Sequence, residues 1–237
     1  MVLPLHDDNP TTTRPYVTVG IIVACALVYA VQHLLLSSGG AQQAAYSLGV
    51  IPAVLTGHEA MPPEIDLVPA PATIFTSMFL HAGFLHLAGN MWFLWIFGNN
   101  IEDAMGHVRF VIFYLLCGVA AVFAQVLPNP DSIVPMVGAS GAISGVLGAY
   151  MLLYPRARVL LGLPVGFLII QLGRWPAAWV LAAWFVLQLV MGGISATDIP
   201  GRTEGGIAFG AHIGGFVAGL LLVTVFKKRG VPLWRPY

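Results

Sequence analysis

Long apolar stretches dominate the chain and predict membrane-spanning helices. Crossing a hydrocarbon core takes roughly 20 residues, and six stretches reach or approach that length. They are Tyr16 to Leu36, Phe84 to Asp103, Val108 to Leu127, Gly138 to Tyr154, Trp175 to Ile194 and Ile207 to Phe226. The pattern predicts an all-α integral membrane protein, a six-transmembrane-helix bundle with a long outer loop between helices 1 and 2.

Two further segments lie outside these spans. The connection Ser37 to Leu80 is rich in Pro, Ala and Gly, and a loop of that length is usually functional or carries short helices of its own. The apolar piece Val159 to Leu172 is short and contains Gly162, Pro164 and Gly166. We expect it at the membrane interface, with a seventh span or a re-entrant segment as alternatives.

Composition and charge agree with a membrane protein and give its orientation. The chain is 58% hydrophobic and 8% charged, and its net charge of zero gives no reason to expect nucleic acid as a partner. Basic residues favour the cytoplasmic side of short loops. With both termini inside, nine of the ten Lys and Arg residues are cytoplasmic and only Arg202 lies outside. Residues 1–15 are then a cytoplasmic tail, 16–226 the membrane domain and 227–237 a basic cytoplasmic tail. The first span is expected to be uncleaved, because no basic n-region or cleavage site precedes it.

Few polar residues lie at membrane depth, and this topology gathers them in one leaflet. The second, fourth and sixth spans all run from outside to inside, so their early residues share the outer leaflet. Those residues are His86, Asn90, Ser140 and His212. An ionisable group inside a membrane is costly to keep and by default marks a functional site.

Small residues at intervals of three or four explain how the fourth and sixth spans come close. Gly141, Gly145 and Gly148 follow one stripe, and Ala211, Gly215 and Gly219 follow the other; together they are called the glycine seam below. Such stripes let two helix backbones approach in lipid. Ser140 and His212 each lie one position from their stripe, where they could meet. Packing alone is the alternative reading.

The residue types suit nucleophilic catalysis. A serine hydroxyl needs a neighbouring base, and neutral imidazole provides one near pH 7. The backbone N–H of Ser140, His86 and the Asn90 amide can stabilise an oxyanion. No Asp or Glu lies at the depth of His212, which predicts a dyad and not a triad.

Two rival assignments concern the nucleophile and a metal. Ser144 lies on the same helix face as Ser140 but one turn deeper, and it does not open the helix. A zinc site at His81 and His86 is disfavoured, because residues five apart lie on different helical faces and no Cys or carboxylate completes a ligand set. We therefore expect no metal and no cofactor.

Three motifs resemble those of the rhomboid intramembrane serine proteases. His81-Ala-Gly-Phe-Leu-His86-Leu-Ala-Gly-Asn90 is similar to the family's HxxxxHxxxN, Gly138-Ala-Ser140-Gly141 to its GxSG, and Ala211-His212-Ile-Gly-Gly215 to its histidine-bearing sixth span. The resemblance implies that Ser140 is the nucleophile and His212 the base, with His86, Asn90 and Gly138 at the oxyanion and substrate site. It implies structural roles for His81 and Glu102, while the helical spacing of the glycines predicts structural roles for Gly141, Gly145 and Gly215.

The sequence departs from the family pattern at two places. Many bacterial members carry Trp-Arg where this chain has Ala72-Thr73, so the outer loop must be anchored differently. Family members often have an aromatic residue four positions after the nucleophile, stacked on the catalytic histidine. Here that position is Ser144, which changes the surroundings of His212.

The sequence therefore predicts an intramembrane serine endopeptidase that cleaves single-pass membrane proteins in or near their transmembrane segment. Its partners would be transmembrane protein substrates and membrane lipid, and we expect it in a bacterial cytoplasmic (inner) membrane with both termini cytoplasmic. A catalytically inactive rhomboid-like protein that binds membrane clients is one alternative, although such proteins usually lack the nucleophile or the base. A transporter is another, because polar groups at membrane depth are typical of transporters.

Overall fold

The computed structural model describes residues 2–35, 39–166, 168–197 and 208–235, and it is mostly helical. Six of the described helices have 14 residues or more and build the bundle. They are α1 (Tyr16–Ala30, continued by a π-helical turn at Val31–Leu35), α5 (Phe84–Met105), α6 (His107–Val126), α7 (Ser140–Leu153), α8 (Ala177–Thr197) and α9 (Phe209–Phe226).

Four of the described helices are long and apolar enough to cross a membrane. They are Tyr16–His33, His107–Val126, Ala177–Ile194 and Phe209–Phe226. A fifth span results if Ala70–Phe79 and α5, which meet at a bend of 81°, form one broken span. Helix α7 is apolar but has only 14 residues, about 21 Å at 1.5 Å per residue. The structure thus gives four to five candidate spans where the sequence predicted six.

Helix α7 is short because it is the centre of the bundle. It packs against α5, α6 and α9, and all but three of its residues are buried. A helix enclosed by other helices need not match the bilayer thickness, since protein and not lipid surrounds it. The fully buried ring of Tyr150 on α7 meets that of Phe97 on α5, with centroids 4.9 Å apart.

The connection between α1 and α5 carries short helices, as its length predicted. These are α2 (Gly40–Leu48), α3 (Pro52–Leu55) and α4 (Ala70–Thr76), followed by a 3-10 turn at Ser77–Phe79. The last residue of the predicted first span, residue 36, and the start of the predicted loop, residues 37–38, lie outside the described residues.

A three-stranded antiparallel sheet shows that the predicted all-α class is wrong. Strands β1 (Leu3–Asp7), β2 (Arg158–Val165) and β3 (Leu168–Pro176) pair in the order β1-β2-β3. Glycine and proline inside Val159 to Leu172 disfavour a helix there, and Gly166 adopts a positive φ of 60° at the hairpin turn. The segment is therefore a hairpin. Helix α8 begins at Ala177 and not at Trp175, because Trp175 pairs with Val159 in β3.

The residues before α1, predicted as a tail, pack on one end of the bundle. Asp7 accepts a hydrogen bond from the Tyr150 hydroxyl, and the backbone oxygen of Asn9 accepts one from the Asn100 amide at 2.8 Å. The hydroxyl of Thr13 donates to Asp103 at 2.7 Å. This segment is part of the fold.

Glu102 joins the start of α1 to the end of α5. Its carboxylate is fully buried and accepts hydrogen bonds from the backbone N–H of Val17 at 2.9 Å and of Thr18 at 2.8 Å. The Thr18 hydroxyl donates to it at 2.7 Å, and His107 Nδ1 lies 2.6 Å away. A carboxylate at a helix N-terminus satisfies N–H groups that have no partner within the helix. The contacts agree with the structural role that the resemblance implies for this residue.

Candidate active site

Ser140 is the first residue of α7, and a distorted backbone leads into it. Gly138 has a φ of +128°, which L side chains rarely adopt, and its N–H donates to the Ser77 carbonyl at 2.9 Å. The helix begins after Ala139, two residues later than the span predicted from Gly138. Ser140 is therefore displayed at the end of a central helix, where its own N–H has no acceptor within the helix.

The structure brings Ser140 and His212 together. His212 lies in the first turn of α9, and its Nε2 is 2.8 Å from Ser140 Oγ. This is hydrogen-bond distance, as a nucleophile and its base require. Both side chains are half-buried, so the pair remains accessible.

The glycine seam is the reason that the two helices approach so closely. A methyl group on Gly215 would overlap the Gly141 carbonyl oxygen, and one on Gly219 would overlap the Gly145 carbonyl oxygen. Backbone therefore touches backbone along α7 and α9. The sequence predicted this contact and its place beside the polar pair.

The second ring nitrogen of His212 has a partner that sequence reasoning missed. Nδ1 lies 2.8 Å from Oε1 of Gln188, a residue of α8 with 8% of its surface exposed. The sequence argument considered only carboxylates as partners of His212, and Gln188 offers an amide instead. Gln188 is the only amide, acid or base in the sequence of α8, and such a residue in an apolar helix is a usable signal.

Aromatic rings from α8 and α9 surround His212 in place of the missing aromatic residue on α7. The Trp184 ring lies 5.9 Å from the imidazole at 37°, and the Phe209 ring lies 6.5 Å away at 85°. Ser144 is 1% exposed, and its hydroxyl donates to the Ser140 carbonyl at 2.7 Å. Its hydroxyl is thus engaged one turn below the pair.

His86 and Asn90 meet Ser140 through Gly138. A methyl group on Gly138 would lie 2.8 Å from His86 Cε1 and 3.7 Å from Asn90 Nδ2, so both side chains pack against this backbone. Asn90 Nδ2 is buried and has no hydrogen-bond partner among the described residues. A buried donor without a partner is costly, and functional sites are where such groups are found.

His81 lies just before the start of α5, and its ring packs against that of His86. It is fully buried, its backbone N–H donates to Gln32 Oε1 at 3.2 Å, and its Nδ1 lies 3.3 Å from the Phe79 carbonyl. Its ring centroid is 5.2 Å from that of His86. The sequence argument placed His81 and His86 on different faces of one helix. His81 in fact lies before the start of α5, so helical spacing does not separate the two rings. The described residues nevertheless contain no cluster of three or more metal-binding side chains.

A cleft opens beside Ser140. Its lining combines backbone next to Ser140 with apolar and small side chains. These residues include Met78, Gly118, Val122, Met136, Gly138 and Ser140.

The mostly helical membrane fold and the contact between Ser140 and His212 are those of a rhomboid-type membrane protein. Residues 70–229 match the Rhomboid domain, which is more than half of the chain. The protein belongs to the rhomboid family.

Curated relatives extend this comparison. The chain is 30% identical over 168 residues to "Rhomboid protein 1, mitochondrial" of Saccharomyces cerevisiae, covering 69% of this chain and 44% of that protein. It is 30% identical over 169 residues to "Rhomboid-like protein 11, chloroplastic" of Arabidopsis thaliana, covering 68% and 54%. "Rhomboid protease GluP" of Bacillus subtilis is 40% identical over 78 residues, covering 33% and 15%. The chain spans about half the length of the first two relatives.

These names bear on the predicted location. They support an integral membrane protein, and the last of them names a protease. They do not support the predicted bacterial cytoplasmic membrane, because the two relatives that cover most of the chain are mitochondrial and chloroplastic.

Proposed function

We propose that the protein is a serine endopeptidase that cleaves single-pass membrane proteins in or near their transmembrane segment. The observation that carries this proposal is the 2.8 Å distance from Ser140 Oγ to His212 Nε2. Membership of a family that includes a named protease supports it.

In the proposed reaction, His212 Nε2 takes the hydroxyl proton as Ser140 Oγ attacks the peptide carbonyl carbon. The oxygen of that carbonyl becomes negative and is met by the Ser140 N–H, the Asn90 amide and His86. The C–N bond then breaks, and His212 gives its proton to the leaving amine. A water molecule, activated by the same histidine, releases the acyl group from Ser140.

We place the reaction in the outer part of the membrane, in a six-span topology with both termini inside. The end of the bundle opposite Ser140 supports this orientation. It holds Arg158, whose N–H donates to Asp8 at 2.7 Å, and Lys228, whose Nζ donates to the Asp103 carbonyl at 2.8 Å. Helix α7 covers about 21 Å of a core about 30 Å thick, so Ser140 at its start lies below the opposite surface.

The cleft supports a preference for a small or apolar residue at the cut. The lining combines small residues such as Gly141 and Ala142 with the side chains of Met78 and Met136, so the cleft beside Ser140 is narrow and apolar. The substrates are thus expected to be transmembrane segments, reached from the surrounding lipid, with a small side chain next to the scissile bond.

The test is cleavage of a single-pass model substrate by the purified protein in liposomes. Wild type is expected to cut, Ser140→Ala to be inactive, and Ser144→Ala, the matched control one turn below, to keep activity. A fluorophosphonate should form an adduct on Ser140, and EDTA or 1,10-phenanthroline should leave cleavage unchanged, because serine supplies the nucleophile.

Three results would overturn the proposal. A fluorophosphonate adduct on Ser144 would make Ser144 the nucleophile. Loss of cleavage in a chelator that zinc restores would require a metal mechanism. A folded wild type that neither labels nor cuts would favour the inactive client-binding alternative.

A further inference from the structure

We infer that Gln188 is a positioning residue that fixes the tautomer and the orientation of the His212 imidazole. This inference rests on the proposed function, because it assigns a role within the same reaction. The geometry is a chain of two contacts, from Gln188 Oε1 to His212 Nδ1 and from His212 Nε2 to Ser140 Oγ, both 2.8 Å long.

The chemistry of the acceptor determines the tautomer. An amide oxygen only accepts hydrogen bonds, so the His212 nitrogen that faces it must carry the proton. In the neutral ring the other nitrogen, Nε2, then has its lone pair free and faces the Ser140 hydroxyl. This tautomer can remove the hydroxyl proton, whereas a ring protonated on Nε2 cannot.

An amide suits this position better than a carboxylate would. The neighbours of Gln188 on α8 are apolar, among them Phe185, Leu187 and Leu189. A buried charge without a partner would be far more costly than a neutral amide. Gln188 supplies the same acceptor geometry as the aspartate of a triad without that desolvation penalty, and it stabilises the imidazolium less.

Two side chains of α8 hold the same ring. Trp184 and Gln188 are four residues apart and therefore lie on one helix face. Trp184 packs on the imidazole while Gln188 accepts a hydrogen bond from its Nδ1–H, and Phe185 stacks on Phe216 of α9 with centroids 4.4 Å apart. Helix α8 thus takes over the support that α7 would give if Ser144 were aromatic.

The kinetic test compares Gln188→Leu with Gln188→Glu. The leucine variant should lower kcat by roughly 10- to 100-fold with KM within about twofold, a smaller loss than the ~10⁴-fold that follows a wrong tautomer in a carboxylate triad. The glutamate variant keeps an acceptor oxygen and should recover most of the activity.

Gln125→Leu is the matched control. Gln125 of α6 accepts a hydrogen bond at 3.2 Å from the N–H of Ala211, the neighbour of His212. Its loss removes the same kind of contact to α9 without touching the imidazole, so kcat should stay near that of wild type. An equal loss of kcat in Gln125→Leu and Gln188→Leu would mean that the hydrogen bond of Gln188 is only structural.

A spectroscopic measurement tests the inference independently of cleavage. In protein labelled with ¹⁵N-histidine, the His212 signals should show a protonated Nδ1 and a bare Nε2 in wild type. In Gln188→Leu they should show a mixture of both tautomers. A wild-type ring protonated on Nε2 would overturn the inference whether or not the protein is active, while absent cleavage with the expected tautomer would count only against the proposed function.

Discussion

At the scale of single residues, Asn90 and Asn100 offer a direct comparison of two buried amides on α5. Asn90 Nδ2 has no partner among the described residues, whereas Asn100 Nδ2 donates to the Asn9 carbonyl at 2.8 Å. Asn90→Ala should lower kcat by roughly 10²- to 10³-fold with little change in Tm, because its donor is used in the transition state.

Asn100→Ala should do the reverse and lower Tm while folded protein keeps its kcat. Kinetics and thermal unfolding of the two purified variants decide between the roles. A fall in Tm for Asn90→Ala as large as for Asn100→Ala would mean that Asn90 is part of the scaffold.

Asp7 gives the protein a pH-dependent stability. Burial raises the pKa of this carboxyl from 3.8 to about 6, against the lowering effect of the hydrogen bond from Tyr150. A raised pKa in the folded state stabilises the protein at low pH, and that contribution is lost as pH rises through about 6. Asp7→Asn keeps an acceptor for Tyr150 and removes the charge.

The variant should therefore have a higher Tm than wild type at pH 8, by the equivalent of at most about 3 kcal/mol. The difference should shrink as the pH is lowered through 6 and disappear near pH 4. Thermal scans across this range measure it, with Asp66→Asn on the exposed connecting segment as control. A difference that does not vary with pH would contradict this role of Asp7.

The residues of the site were predictable where they carry a local motif. Ser140, His212, His86 and Asn90 lie in recognisable spacings, and the structure gathers them. Gln188 was missed because its importance depends on which face α8 turns toward α9. In an apolar helix with no clear polar face, the sequence does not determine that rotation.

At the scale of secondary-structure elements, the contact between α7 and α9 depends on the absence of side chains. Gly219→Ala adds a methyl group that overlaps the Gly145 carbonyl oxygen, although residue 219 lies about two turns from His212. The helices must separate, so both Tm and kcat should fall. Gly193→Ala on α8 is the control, since nothing lies within 4 Å of the added methyl group.

The control should keep Tm or raise it slightly, because alanine favours a helix over glycine by about 1 kcal/mol. Thermal unfolding and the rate of fluorophosphonate labelling at Ser140 report the two effects. Normal labelling in a folded Gly219→Ala protein would show that the site tolerates wider helix spacing.

Helix positions were predictable, and the sheet was not. The starts of α1 and α5 coincide with the predicted Tyr16 and Phe84, because a long run of apolar residues is a reliable sign of a helix. A short apolar run such as Val159 to Leu172 has the same appearance whether it forms a helix or a strand. Its partner β1 lies about 150 residues away, as the pairing of His6 with Leu160 shows, and no local pattern reveals such a pairing.

At the scale of the whole molecule, the proposed function makes the depth of Ser140 decide which substrates are cut. A helical segment keeps its carbonyl groups in hydrogen bonds, so it must unwind locally before attack. Glycine and proline reduce the cost of unwinding, since they disfavour a helix by about 1 and about 3 kcal/mol relative to alanine. A type I client with such residues in its outer half should be cut there, after a small residue such as Ala.

Replacing those residues with Leu should slow the cut. The measurement maps the cleavage site by mass spectrometry and compares rates for the two clients in liposomes, with Ser140→Ala as the blank. Cleavage at the cytoplasmic end, or faster cleavage of the Leu client, would refute the proposed depth of the site.

The α7–α9 contact along the glycine seam and the exposed surface of α8 should respond differently to changes in the membrane. Carbonyl oxygens and glycine Cα atoms have no rotamers, so the spacing between the α7 and α9 backbones cannot relax by side-chain rearrangement. Helix α8 is different, because Trp179, Val186 and Val190 are each more than half exposed and face the surroundings of the bundle. Bilayer thickness and lipid order act on such a surface directly. Their influence on the proposed reaction would then act through the support that α8 gives to the His212 ring, while the glycine seam holds the spacing between the α7 and α9 backbones.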